Sequence, residues 1–413
     1  MKKSTFLFLA LLLSMVSFAQ ADNRVTIGVI DTIQSGILGE KRKILVHVPQ
    51  GSPGGLFSQQ RYPVVYLLDG DAHFNSVVGM IQQLSQVNGN NLFPEMIVVG
   101  ISNTARTRDL TPTRTGDDPL LKNMPSTVKP ASSGGGAAFL SFIEKELMPY
   151  IDAKYPTQPY KMLIGHSFGG LTVMNTVINH TRLFNSYIAV DPSMWWDDLN
   201  FLKSTKAALA EKSFHGRMLY VGMANTMDRG MTLEQGLKDT TLDTRGIRAV
   251  MELDKFIRTR KPAGLTYASK YYGNDSHNSS PLITVYDGLR YIFADYGFKL
   301  ESRDVLDSTV ALVDSFKLRY QKISRLFGYE VKPPEMEINS YGYRFLQRKQ
   351  YRKAEGFFRL NLANYPGSFN VYDSYGDFYV ATGNKAQAIA MFEKALSIKD
   401  QAGTREKLGK LKE

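Results

Sequence analysis

The stretch Tyr160-Lys-Met-Leu-Ile-Gly165-His-Ser167-Phe-Gly169-Gly170 constrains this chain more than any other. A short apolar run ends at Gly165, a serine follows, and two glycines open a helical pattern from Leu171 to Asn179. That order predicts a strand, a tight turn and a helix. Glycines two residues to either side of Ser167 are what a nucleophile elbow needs, because the serine sits on strained backbone and its neighbours must have almost no side chain. Ser167 would then project its hydroxyl above the edge of a sheet.

The 413 residues suggest two or three domains and leave ample chain for a large core. Residues 1–21 carry Lys2 and Lys3, an apolar run from Phe6 to Phe18 and then Ala19-Gln20-Ala21. This is the pattern of a secretory signal peptide, and it implies a periplasmic or secreted protein with no membrane span once the leader is removed. Cysteine is absent, which excludes disulfides, thiolate metal sites and a lipid-anchor thiol. The net charge of +11 falls to +9 when Lys2 and Lys3 leave. Such a surface suits anionic small molecules, cell-wall polymers or lipid headgroups, or is ordinary solvated surface. No basic run interleaved with aromatics suggests nucleic acid.

Alternation from Arg24 to Asp31 and from Lys43 to Val48 predicts two half-buried antiparallel strands. Continuous apolar runs at Pro63–Leu68 and Met96–Val99, and strand patterns at Tyr187–Val190, Met218–Val221 and Leu265–Tyr272, predict central parallel strands covered on both faces. Helical spacing occurs over Ala72–Val87, Ala138–Tyr155, with a bend expected at Pro149, and Pro281–Tyr296. The result is an α/β chain with an open sheet of about eight strands and the serine turn near its middle. Ligands bind such sheets at the carboxyl ends of the strands.

Beyond Leu300 the pattern is helical only. Ser340-Tyr341-Gly342 recurs as Ser374-Tyr375-Gly376, Ala354 as Ala388, Phe358 as Phe392 and Leu362 as Leu396, a period of 34 residues. Period and residue order resemble tetratricopeptide repeats. The expected division is a leader (1–21), a sheet domain (22–298), a connecting helix and linker (299–334) and a small all-α repeat domain (335–413). Two repeats are few to stand alone, so they should dock on the sheet domain, a second subunit or a protein partner.

A serine hydroxyl is a weak nucleophile until a base takes its proton, so the elbow calls for a later histidine and an acid that orients it. Of the six histidines, only His277 follows the last strand in a polar loop, Gly273 to Ser280. The acid is expected after Met218–Val221, where Asp228 is the charged candidate; it also suits a helix cap, and a Ser–His pair held by a backbone carbonyl is the alternative. The oxyanion donors should be the N–H of Phe168 and that of Gly70 or Asp71. Asp69 and Asp71 lack the neighbouring His and Glu spacing of a metal site, and no metal or other cofactor is expected. Arg106 and Arg108 either bind an anionic substrate or pair with Asp109 to hold their loop. Trp195 and Trp196, after Asp191-Pro-Ser193-Met, either wall a ring-bearing acyl group or join the core.

Tyr66-Leu-Leu-Asp-Gly70, the loop Arg106 to Pro112, Phe142-Ile-Glu-Lys-Glu-Leu-Met-Pro149, Gly165 to Gly170, Pro192 to Trp196, and His277 with Ser279 together resemble the "Putative esterase" family of α/β-hydrolases. That family contains esterase D, feruloyl esterases, mycolyltransferases and periplasmic enterochelin-type siderophore esterases. The resemblance covers roughly residues 24–298. It implies the α/β-hydrolase fold, a serine esterase working through an acyl-enzyme on Ser167 with His277 as base, and oxyanion donors near Gly70 and at Phe168. Many relatives have Asp three residues after the glycine that ends the strand, where this chain has Asn225. Export and a basic charge suit the siderophore branch, whose ferric catecholate substrates are anionic and aromatic. Feruloyl or carbohydrate esterases and acyltransferases share the same residues, and a non-catalytic scaffold for the repeats is the reading from a different class.

Overall fold

A hairpin begins the sheet: β1 (Val29–Ser35) and β2 (Glu40–His47) pair antiparallel from Val29↔Val46 to Ser35↔Glu40. Both strands lie further toward the turn than the alternation suggests, because the turn is held from outside. The Glu146 carboxylate accepts hydrogen bonds from the Ser35 hydroxyl and from the N–H groups of Gly36 and Ile37, the latter two at 2.9 and 3.1 Å. The structure, a computed structural model, describes residues 25–413 apart from 51–55, 58–59, 117–119, 122–127, 298–300, 308 and 310. The expected leader lies outside the described residues.

Six further strands follow: β3 (Tyr62–Leu67), β4 (Ile97–Ile101), β5 (Thr157–His166), β6 (Ser186–Val190), β7 (Arg217–Ala224) and β8 (Leu265–Tyr272). The order across the sheet is β1-β2-β4-β3-β5-β6-β7-β8, with β2 antiparallel to both neighbours and the rest parallel. β3, β4 and β6 are buried along their whole length, which is why they read as unbroken apolar runs. This is the α/β-hydrolase fold, with β5 and its serine turn near the middle of the sheet.

Helices cover both faces. Gly70–Ser85 and Ser280–Ile292 pack on one side, and Phe168–Asn179 and Arg245–Arg260 on the other. The bend expected at Pro149 is a change of helix type: Gly136–Phe142 runs into a π-helical turn at Ile143–Leu147, then into Met148–Lys154. Proline has no N–H to give the preceding turn, and a wider turn absorbs the mismatch.

The remainder is all helical. Helix Ala311–Phe327 lies between the sheet domain and four helices that form two hairpins, Glu335–Gln347 with Tyr351–Asn364 and Phe369–Ala381 with Lys385–Ile398, closed by Ala402–Lys412. The second hairpin begins at Phe369, 34 residues after Glu335. A Cβ on Gly342 would come within 2.7 Å of the Phe358 ring, and one on Gly376 within 2.4 Å of the Phe392 ring. The repeated glycine and phenylalanine are therefore one packing contact used twice. Among the described residues no helix is long and apolar enough to cross a membrane.

Helix Ala311–Phe327 joins the repeats to the sheet domain through aromatic rings. Phe327 stacks on Tyr160 of β5 with centroids 4.4 Å apart and meets Phe293 edge-on at 6.2 Å. Phe316 touches Tyr341 and Phe357 of the first hairpin. Arg319 Nε donates to the Tyr296 carbonyl at 2.9 Å, and the Tyr329 hydroxyl to the Gln158 side chain at 2.7 Å.

Candidate active site

Ser167 joins β5 to helix Phe168–Asn179 at φ 61° and ψ −115°, a conformation that costs a non-glycine residue about 1–3 kcal/mol. Backbone bonds hold it there: its N–H donates to Val190 O at 3.0 Å, and its carbonyl accepts from Leu171 N at 2.9 Å and Ser193 N at 3.2 Å. A Cβ on Gly165 would lie 2.4 Å from the Gly169 carbonyl, so strand and helix approach this closely only with glycine there. Ser167 Oγ lies 3.4 Å from Ser193 Oγ.

His277 lies in the loop after β8, its side chain 38% exposed, and its Nδ1 donates to Asp191 Oδ2 at 2.6 Å. Asp191 is the first residue after β6, has φ 39° and is buried; its Oδ1 accepts the Ala224 N–H at 3.0 Å. Carboxylate and imidazole are thus paired, and the Nδ1–H tautomer leaves Nε2 free to accept a proton. Asp228 is not at this position. It is exposed in the loop after β7, where its carbonyl accepts the N–H of Met231. The carboxylate that meets His277 thus follows β6, one strand earlier than expected, and the β7 end supplies a backbone donor to it, Ala224 N–H. Asn225 instead fastens the histidine loop, with Nδ2 donating to Gly273 O at 3.0 Å and its N–H to Asp275 O at 2.8 Å.

The first-turn amides of Phe168–Asn179 and of Gly70–Ser85 precede the first intrahelical bonds. Phe168, Gly70 and Asp71 therefore carry N–H groups at two helix starts that open from the ends of β5 and β3. Gly70 packs its Cα against Gly100 of β4, where a Cβ would meet the Gly100 carbonyl carbon at 2.5 Å. Asp69, the residue before this helix, has φ 52° and is buried. Burial alone would raise its carboxyl pKa, but Arg106 and Asn103 outweigh it and hold the group below its ordinary value.

Arg106 is spent on that task. Its Nε and one terminal nitrogen donate to the two Asp69 oxygens at 2.7 and 2.9 Å, and the same nitrogen reaches His166 O at 3.4 Å. Its guanidinium carbon also sits 5.3 Å from the centre of the Phe168 ring. Arg106 thus braces the β3 end against the elbow. Arg108 is committed too, to Glu40 at 2.6 Å and Asp109 at 2.7 Å, beside the buried Arg42–Asp109 pair at 2.6 Å. Neither arginine is an uncommitted anion receptor, because each faces a carboxylate.

The tryptophans belong to the core. Trp196 is fully buried, donates Nε1 to Thr113 O at 3.2 Å and meets the Phe168 ring at 5.1 Å, while Trp195 is 7% exposed and packs against Trp196. They support the elbow from beneath instead of walling a cleft. The loop that carries them does reach the site, through Asp191 and Ser193. Among the described residues no group of three or more His, Asp or Glu side chains is placed to hold a metal ion. Larger clefts lie at the amino ends of the strands, away from Ser167: one of about 810 Å³ borders Lys161 and His215, and one of about 340 Å³ borders Tyr62 and Tyr329.

Residues 35–280 match the model of the esterase family described as "Putative esterase", and the chain belongs to that family. Curated relatives include the siderophore triacetylfusarinine C esterase of Aspergillus fumigatus, 30% identical over 36% of this chain and 50% of that protein. Another is the ferri-bacillibactin esterase BesA of Bacillus subtilis, 34% identical over 35% of this chain and 52% of that protein. The chain spans about half the length of these relatives. An IroE-like serine hydrolase from Shewanella oneidensis superposes with a TM-score of 0.68 at 29% identity, over 81% of this chain and 99% of the other.

Proposed function

We propose that this chain is a serine carboxyl-ester hydrolase of the siderophore-esterase branch, acting through an acyl-enzyme on Ser167. The observation that carries the reading is the buried Asp191 carboxylate bonded to His277 Nδ1 at 2.6 Å, at the same carboxyl end of the sheet as Ser167, which is held at φ 61°. His277 Nε2 takes the proton of Ser167 Oγ as that oxygen attacks the ester carbonyl, and returns it to the leaving alkoxide. Asp191 fixes the imidazole and stabilises its charged form. The amides of Phe168 and of Gly70 or Asp71 receive the oxyanion. Water, activated by the same imidazole, then releases the acid. Ser167 Oγ meets Ser193 Oγ at 3.4 Å rather than His277, and the bond from nucleophile to base is one that commonly forms only in the complex with substrate.

The siderophore assignment is supported by the activities named for the relatives and by the net positive charge of the chain, which suits an anionic ferric catecholate. Parallel assays with a catecholate trilactone, feruloyl sugars and p-nitrophenyl esters test it. The trilactone should show the highest kcat/KM; feruloyl sugars cleaved with the trilactone untouched would overturn the branch. We further propose export by the residue 1–21 leader, checked by cell fractionation, with a purely cytoplasmic product contradicting it. The repeats are proposed to contact a protein partner or second subunit, and a strict monomer that captures no partner after cross-linking in cells would argue against this.

A further inference from the structure

The elbow pattern leaves its second residue free, and here that residue is His166. Its Nε2 lies 2.8 Å from the backbone carbonyl of His277. A carbonyl only accepts, so Nε2 carries the proton and donates it. The two imidazoles lie against each other with centroids 4.5 Å apart, and His73 meets the far side of His166 edge-on at 5.7 Å. Apart from His73 and Ser76, whose hydroxyl donates to the His73 carbonyl at 2.9 Å, the remaining space is lined by apolar side chains, among them Leu67, Val77, Ile164, Pro281 and Val285. The loop that carries His277 is otherwise exposed at Gly273, Asn274, Ser276, Asn278 and Ser279.

We propose that His166 is a positioning residue for His277, tying the backbone of the base to the turn that carries the nucleophile. The inference rests on the esterase reading above. Asp191 grips the imidazole of His277 at one ring nitrogen only, and a ring held at one point still swings about it. The bond from His166, shorter than the 3.3 Å bond that the Ser280 hydroxyl donates to the same carbonyl, fixes the backbone from which that ring departs. Because His166 and Ser167 are consecutive, base and nucleophile are then set from one rigid turn, and displacements on the order of 1 Å are enough to cost about 100-fold in rate. The neutral state of His166 suits this use. Burial first, then the neighbouring His277 and His73, push its pKa down to about 3, against the opposing pull of Asp69 and of the His277 carbonyl. It therefore keeps one tautomer, and adds no charge beside the base, wherever the base itself works.

The test uses the full-length protein and the rate of fluorophosphonate labelling at Ser167, with kcat and KM on a p-nitrophenyl ester corrected for active-site titre. His166→Met, which fills the space without a donor, should slow labelling and lower kcat by about 10–100-fold with KM unchanged. His166→Gln, which restores an amide donor, should recover most of that loss. A Met variant within twofold of wild type, or Met and Gln variants equally slow, would overturn the positioning role. Nitrogen-15 chemical shifts of wild-type His166 give a check that needs no variant: the Nε2–H tautomer should persist from pH 8 to 5, and an Nδ1–H tautomer would refute the bond. Wild-type protein that takes no label would instead overturn the esterase reading, and the positioning role with it.

Discussion

The two ends of the sheet are built on opposite terms. At the carboxyl ends, Asp69 after β3, Ser167 after β5 and Asp191 after β6 are three non-glycine residues with φ of 52°, 61° and 39°. Each is held by polar contacts: Arg106 and Asn103 on Asp69, Val190 O on Ser167, Ala224 N–H and His277 on Asp191. At the amino ends, Tyr160, Phe293 and Phe327 meet through rings, and apolar contact continues into the repeat helices. The carboxyl ends hold strained backbone where chemistry needs fixed geometry; at the amino ends, where His215 and Lys261 also have φ of 51° and 48°, aromatic contacts supply burial that offsets such strain.

That division predicts separable damage. Phe327→Ala removes a ring that joins repeats to sheet and should cost about 3–5 kcal/mol in denaturant unfolding, while labelling of Ser167 per folded molecule stays unchanged. Equal loss of stability and labelling would mean that the two ends are coupled. At the other end, Gly165→Ala forces the elbow open, with about 1–3 kcal/mol of destabilisation expected from overpacking. There the labelling rate should fall in the protein that remains folded; a fully reactive, normally stable variant would show that strand and helix do not need the close approach.

Arg106→Lys keeps the charge but loses the two-point grip on Asp69, so kcat should drop by roughly 10-fold, about 1.4 kcal/mol, with KM for anionic esters unchanged. A rise in KM confined to anionic substrates would instead make Arg106 a substrate receptor. A further effect concerns pH. His166 titrates at about 3 in the folded chain against an ordinary 6.5, so the unfolded chain binds the extra proton between those values. Stability from this group is complete above pH 6.5 and erodes as pH falls toward 3. His166→Gln should therefore flatten the fall in melting temperature between pH 6.5 and 4, and an unchanged slope would contradict the assignment.

Much of this was legible in the sequence for a physical reason. Apolar runs and glycine spacing are local signals, so the eight strands, the turn at Ser167, the loop of His277 and the recurring Gly–Phe contact could be read directly. The acid could not. Asp191 is recognisable only through the register that sets Val190 beside Gly222 and so brings the Ala224 N–H to its carboxylate. Pairing across the chain hid the arginines in the same way: Glu40 lies 68 residues from Arg108, and Asp69 lies 37 from Arg106. The tryptophans stay open between cleft wall and core in the sequence, since an aromatic pair after a strand end looks the same there whether it faces solvent or supports a turn; their burial places them in the core.

In the proposed mechanism Asp191, and not Asp228, orients the base for Ser167. That role is tested most directly by fluorophosphonate labelling of Asp191→Asn and Asp228→Asn side by side. Asp191→Asn should slow labelling by on the order of 10⁴-fold with the fold intact, and Asp228→Asn should label as wild type does. A fully reactive Asp191→Asn, or a loss confined to Asp228→Asn, would contradict it.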